Sequence, residues 1–142
     1  MAVVDANDKQ TLILLAVKEK LESIDMLAIV VLGRLEHFNH DRPAAGIIPL
    51  LDDEERASKT HETSNFDISI RLLADEDEEV AAIELSMIVF AIKEAMKNGG
   101  DRTWAGLCVD FFPGATKWLF ADAQLPRAGC DLDYRFKYQL AE

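Results

Sequence analysis

Hydrophobic residues recur along this chain with two periods, near 3.6 in two segments and 2 in several others, and the switches between them mark out the elements. Leu14, Val17, Leu21 and Ile24 share one helical face while Lys18, Glu19 and Glu22 are left for solvent, which predicts an amphipathic helix over 8–23. Asn7 is its candidate N-cap, with Gln10 three residues on in a capping-box position. From Met26 to Phe38 the β-branched run Ile29-Val30-Val31 favours a strand, although Ala28 and Leu32 suit a helix equally.

Asn, Asp, Pro and Gly gather between Asn39 and Gly46 and predict a loop, after which a strand runs over about 46–56. Beyond the polar stretch Thr60 to Ser64, the residues Phe66, Ile68, Ile70 and Leu72 alternate with Asp67, Ser69 and Arg71, the period of a half-buried strand. These two strands are expected to pair as an antiparallel hairpin. The acidic run Asp75 to Glu79 then complements the positive end of a helix predicted over about 77–97. On that helix Leu85, Ile88, Val89, Ile92 and Met96 form one apolar face, and Val80, Ile83, Met87 and Phe90 form a second stripe behind it. Two coverings are open: the helix lies between the sheet and the first helix, or its second stripe meets a neighbouring subunit.

Asn98, Gly99 and Gly100 end this helix with residues that tolerate a left-handed backbone. Trp104 to Phe112, the Pro113-Gly114 turn and Lys117 to Ala121 predict a hairpin, and Gln124 to Gly129 a further loop. Leu132, Tyr134, Phe136, Tyr138 and Leu140 alternate strictly with Asp133, Arg135, Lys137 and Gln139 in a last strand. The order of helix, strands, helix, strands predicts an α+β fold, a mostly antiparallel (mixed) sheet with two main helices packed on one face.

Length and charge narrow the functional classes. The 142 residues fit a single domain, 1–142, with room for a core that needs no disulfide. The longest apolar runs, Thr11 to Val17 and Met26 to Leu32, are far below the roughly 18–20 residues of a membrane span, and Met1 to Gln10 lacks the basic start of a signal peptide. A protein made and kept in a cytoplasm is expected, with Cys108 and Cys130 as reduced thiols. A formal net charge of −11 repels phosphate backbones, which argues against sequence-specific DNA binding.

Templates for chemistry do not match. The seven glycines form neither GxGxxG nor GxxxxGK[ST], no serine stands in a GxSxG elbow, and neither cysteine lies in a nucleophile signature. His37 and His40, with Asp41 and distant His61, carry donor atoms for a divalent metal, yet they fall at a strand-to-loop boundary where polar residues are expected in any case. A small metal-dependent hydrolase using them is the rival reading from the enzyme class. Asp75, Glu76, Asp77, Glu78 and Glu79 offer hard oxygen donors for a loosely held Mg²⁺, although a solvated helix N-terminus accounts for them as well. No catalytic residue, cofactor or structural metal is expected.

Three segments carry a resemblance. They are Gly99 to Asp110, containing Asp101-Arg102-Thr103-Trp104-Ala105-Gly106; Thr116 to Pro126, ending Ala121-Asp122-Ala123-Gln124-Leu125-Pro126; and Ala128 to Tyr138, ending Tyr134-Arg135-Phe136-Lys137-Tyr138. Together they resemble the tail terminator and minor tail proteins of long-tailed bacteriophages. In that family a helix leads into a D-x-T-(L/W)-x-G strand entry, a hairpin, an A-D-x-(Q/L)-P-x-A-G loop and a terminal strand. The apolar stretch Ile24 to Phe38 departs from the lambda-type pattern, so lumen-facing loops are not transferred.

The resemblance implies a structural subunit of a ring, hexameric in the family, at the head-proximal end of the virion tail, assembled in the host cytoplasm. Its partners are then other copies of itself, the tail tube protein and the head-completion or connector proteins. Genomic DNA passes through the lumen without specific binding. A head–tail joining protein or a tail tube subunit is the neighbouring alternative. Arg71, Asp75, Glu76, Asp77, Glu78, Arg135 and Lys137 are the candidates for contact with a neighbouring subunit or the tube.

Overall fold

The computed structural model describes residues 8–27, 29–33, 43–56, 62–74, 78–119 and 128–139. The first helix, α1 (Lys9–Glu22), starts from Asp8, whose carboxylate accepts from the Thr11 amide at 3.1 Å and the Thr11 hydroxyl at 2.8 Å. Asp8 thus holds the capping position for which Asn7 was the sequence candidate; Asn7 lies outside the described residues. The Gln10 amide donates to the Tyr138 hydroxyl at 3.0 Å and ties α1 to the last strand. Ile13, Val17 and Leu21 are fully buried, so the core face is centred on Ile13, with Leu14 at its flank.

Strand β1 (Ile29–Leu32) runs parallel to β2 (Ala44–Arg56), with Ile29 opposite Ala44 and Leu32 opposite Ile47. Residues 34–38 of the expected strand lie outside the described residues. Ala44 to Gly46, expected in a loop, are strand because β1 and the next strand both pair with them. β2 and β3 (Glu62–Ala74) form the antiparallel hairpin that the alternation predicted.

Helix α2 (Glu78–Met96) buries Leu85, Ile88, Val89, Ile92 and Met96, the face the period of 3.6 marks as apolar. Asn98, Gly99 and Gly100 follow with φ of 52°, 65° and 92°, the left-handed exit expected of them. The chain then turns through 101–109 and enters β4 (Asp110–Leu119), which pairs antiparallel with β5 (Ala128–Gln139). The hairpin expected around Pro113-Gly114 is not formed: β4 is one strand that runs through both residues, with a register break between Pro113 and Thr116. Proline is tolerated there because an edge strand has no second partner to receive its missing N–H.

The result is an α+β fold in which the described residues form a five-stranded mixed sheet in the order β1-β2-β3-β5-β4 that does not close. Buried side chains from both helices and all five strands form one cluster on the helix-covered face. One part of it is aromatic, with Phe111 and Phe136 centroids 4.9 Å apart and Trp104 edge-on to both at 5.7 and 5.5 Å.

Candidate interaction site

The face of the sheet away from the helices is polar, and its charges are paired across strands. In the antiparallel register Asp67 of β3 stands opposite Arg135 of β5, and Arg71 opposite Asp131. Both arginines use their planar fork: Arg135 donates to the two oxygens of Asp67 at 2.7 and 3.0 Å, and Arg71 to those of Asp131 at 2.8 Å each. The hydrogen bond it donates to Asp131 raises the Arg71 pKa further above its ordinary value, against the opposing effect of burial. Slipping β5 by one residue would turn these charges into the core, so the alternation helps fix the register.

Pro49, Ile68, Tyr134 and Pro113 form one transverse row across β2, β3, β5 and β4, and the register breaks immediately after Pro49 and after Pro113. A trough of about 530 Å³ on the polar face is lined by residues that include Asp67, Asp133, Arg135, Leu50 and Phe112. Leu50 is 56% exposed and Phe112 40%. The Arg102 guanidinium lies 5.6 Å from the Phe112 ring centre and donates to Asp110 at 2.7 Å and to the Phe111 carbonyl at 2.6 Å, which braces the entrance to β4.

The segment Asp101 to Gly106 is a compact turn. The Asp101 carboxylate accepts from the Thr103 amide and hydroxyl at 3.0 and 2.6 Å and from the Ala105 amide at 2.9 Å. These hydrogen bonds, the Thr103 hydroxyl first, hold its pKa below the usual carboxylate range. Trp104, Ala105 and Gly106 all take positive φ, at 50°, 56° and 86°, and this reversal drops the Trp104 ring into the core. Each residue of the Asp-x-Thr-Trp-x-Gly motif therefore has a local structural task in this chain. The Cys108 thiol that follows is pushed up to about 11 by burial and donates to the Arg102 carbonyl at 3.3 Å.

On the other side of the molecule, α2 turns its second stripe outward. Ile83, Met87 and Phe90 are 61%, 56% and 67% exposed, so of the two coverings left open by the sequence, the one by the first helix is not provided among the described residues. An apolar groove of about 700 Å³ lies between this stripe and Met26, which follows α1. The Val80 side chain lies outside the described set.

Of the interface candidates, Arg71, Arg135 and Lys137 come together on the polar sheet face, while Glu78 opens α2 in the helix layer. Asp75, Glu76 and Asp77 lie outside the described residues, as do His37, His40, Asp41 and His61. Among the described residues no three His, Cys, Asp or Glu side chains are grouped to hold a metal, and no helix is long and apolar enough to cross a membrane. Asp67, Asp131, Leu50 and Phe112 belong to the polar-face site but were not singled out from sequence. The same charge order in Asp67-x-x-x-Arg71 and Asp131-x-x-x-Arg135 is the signal, because antiparallel pairing sets the acid of each strand opposite the arginine of the other.

No protein-family model matches this chain, and no curated protein matches it.

Proposed function

We propose that the chain is a structural subunit that associates head to tail with copies of itself into a ring on the end of a bacteriophage tail tube. There it stops tube polymerisation and presents the surface to which the head joins. The observation that carries this reading is a sheet with two unlike open edges. The β1 end exposes Ile29 at 37% and Leu32 at 44%, and the β4 end exposes Phe112 and Trp118 at 40% each. A heterologous contact between one edge and the other leaves both edges available for the next copy, and such contacts close into rings when the rotation permits.

The phage assignment itself is supported by the resemblance of the segments around Asp101 to Gly106 and Tyr134 to Tyr138. A net charge of −11 suits a ring through which DNA must pass without adhering. On this reading the chain has no catalytic role.

Electron microscopy of the purified protein mixed with tail tubes tests the proposal. The expected result is one ring at one end of each tube, and tubes of uncontrolled length in phage lacking the protein. Tails of normal length that fail only to acquire heads would reassign it to head–tail joining. Long cylinders formed by the protein alone would reassign it to the tube.

A further inference from the structure

We propose that the trough on the polar face of the sheet is a binding site for a small alkylguanidinium ion, with Asp133 as its counter-ion. Strands β3, β4 and β5 carry four aspartates, Asp67, Asp110, Asp131 and Asp133. Three of them accept hydrogen bonds from an arginine: Asp67 from Arg135, Asp131 from Arg71 and Asp110 from Arg102. The Asp133 carboxylate is half-buried and lines the trough, yet among the described residues it accepts no hydrogen bond and joins no ion pair. The register accounts for this. Asp133 stands opposite the neutral Ser69 of β3, and on its other side it falls within the break of β4 between Pro113 and Thr116, so neither adjoining strand sets a cation across from it. A partly desolvated carboxylate without a partner is stabilised by a cation brought to it.

The surroundings of Asp133 suit such a ligand. Gly114 does not owe its identity to the backbone, since its φ lies outside the left-handed region. The position requires space instead: a Cβ there would stand 3.3 Å from the Asp133 Cβ, so a larger side chain would crowd Asp133 from the β4 side. The volume of about 530 Å³ falls within the roughly 300–1,000 Å³ of small-molecule sites. Leu50 and Phe112, 56% and 40% exposed, add apolar surface to the lining for an alkyl stem. Asn65 lines the trough at only 7% exposure, and its side-chain amide makes no hydrogen bond among the described residues, which leaves a donor and an acceptor for a polar group on the ligand. Guanidinium is favoured over ammonium because Asp67 and Asp131 each already accept two N–H groups from one planar fork, and Asp133 projects from the same strand and face as Asp131.

This site does not rest on the ring reading. The test is saturation-transfer NMR of n-butylguanidinium with the full chain, read as a dissociation constant. A value on the order of 1 mM is expected at low salt, rising as salt is added. n-Butanol, with the same stem and no charge, should bind roughly tenfold more weakly, and n-butylammonium about threefold more weakly. Asp133→Asn should weaken n-butylguanidinium by about tenfold with an unchanged circular dichroism spectrum, while Asp133→Glu should stay within about threefold of wild type. Leu50→Lys, at an exposed site, places a second cation beside the trough and should also weaken binding by about tenfold, which decides the matter if the Asn variant does not fold.

No saturation transfer up to about 10 mM overturns the inference. So does equal affinity for n-butanol, or an Asp133→Asn variant that binds as the wild type does. Rings on tube ends formed by a protein that does not bind n-butylguanidinium would sink this inference alone, and binding by a protein that leaves tubes bare would sink the ring reading alone.

Discussion

Gly114 of β4 passes so close to Asp133 of β5 that a Cβ on Gly114 would meet the Asp133 carbonyl oxygen at 3.0 Å and its Cβ at 3.3 Å. The approach falls within the register break of β4 on β5 between Pro113 and Thr116. Gly114→Ala should cost roughly 1–2 kcal/mol, and Gly114→Val more, as the edge strand is forced outward. Thermal unfolding reads this as a Tm lower by several degrees for Ala and a larger drop for Val. Equal Tm values for all three proteins would mean that β4 moves aside without cost.

The two fork-to-fork pairs on the polar face differ in exposure: Arg71 and Asp131 side chains are 42% and 16% exposed, and Arg135 and Asp67 are 48% and 22%. Surface screening limits each pair to about 0.5–1 kcal/mol of coupling. Double-mutant cycles on Arg71/Asp131 and Arg135/Asp67, measured by urea unfolding, should give coupling energies in that range that shrink as salt is raised. Arg71→Lys should lose most of the coupling, because an ammonium cannot reproduce the bidentate geometry.

Much of this architecture is legible in the sequence, and the exceptions share a cause. The buried face of α2, the alternation of β3 and β5 and the left-handed exit at Asn98 to Gly100 depend on local periodicity or backbone chemistry, so they read directly. Pro113-Gly114 was expected to reverse the chain, yet it produces a bulge, because whether proline ends a strand depends on whether that strand lies at an edge. Trp104 has strand-like propensity, but the Asp101 carboxylate organises a turn around it. The parallel pairing of β1 leaves no local trace. The outer stripe of α2 is visible as a pattern, but a pattern does not say whether its cover comes from the same chain.

Asp101 and Asp110 give the protein a definite acid response. Both carboxyls are held below their ordinary range, Asp101 chiefly by the Thr103 hydroxyl and Asp110 chiefly by the Arg102 guanidinium. A carboxylate with a depressed folded-state pKa contributes stability that is present above its unfolded pKa, about 3.9, and is lost as pH falls through the folded value. The Tm difference between wild type and Asp101→Asn should therefore be constant near pH 7 and narrow below about pH 4. A difference that widens on acidification would show that the Asp101 hydrogen bonds do not favour the ionised form.

Cys108 and Cys130 are free and buried, and burial is the main reason both thiols are pushed up to about 11. The thiolate is the reactive form, so at pH 8 neither should react with a disulfide reagent on the timescale of an exposed cysteine. Both should react promptly in denaturant. A single fast-reacting equivalent in the native protein would locate an opening of the 101–109 turn or of the β3–β5 region.

Trp104 separates packing from polarity at one position. Its ring is 4% exposed within the aromatic cluster, and among the described residues its buried Nε1 has no hydrogen-bond acceptor. Trp104→Ala removes the ring and should cost roughly 3–5 kcal/mol through the cavity left beside Phe111 and Phe136. Trp104→Phe leaves a smaller void and removes the unpaired donor, whose desolvation is worth about 1–3 kcal/mol in the opposite direction. The Phe variant is therefore expected to lose less than about half of what the Ala variant loses. Urea unfolding followed by circular dichroism measures both. A Phe variant as unstable as the Ala variant would show that the indole N–H is hydrogen-bonded in solution.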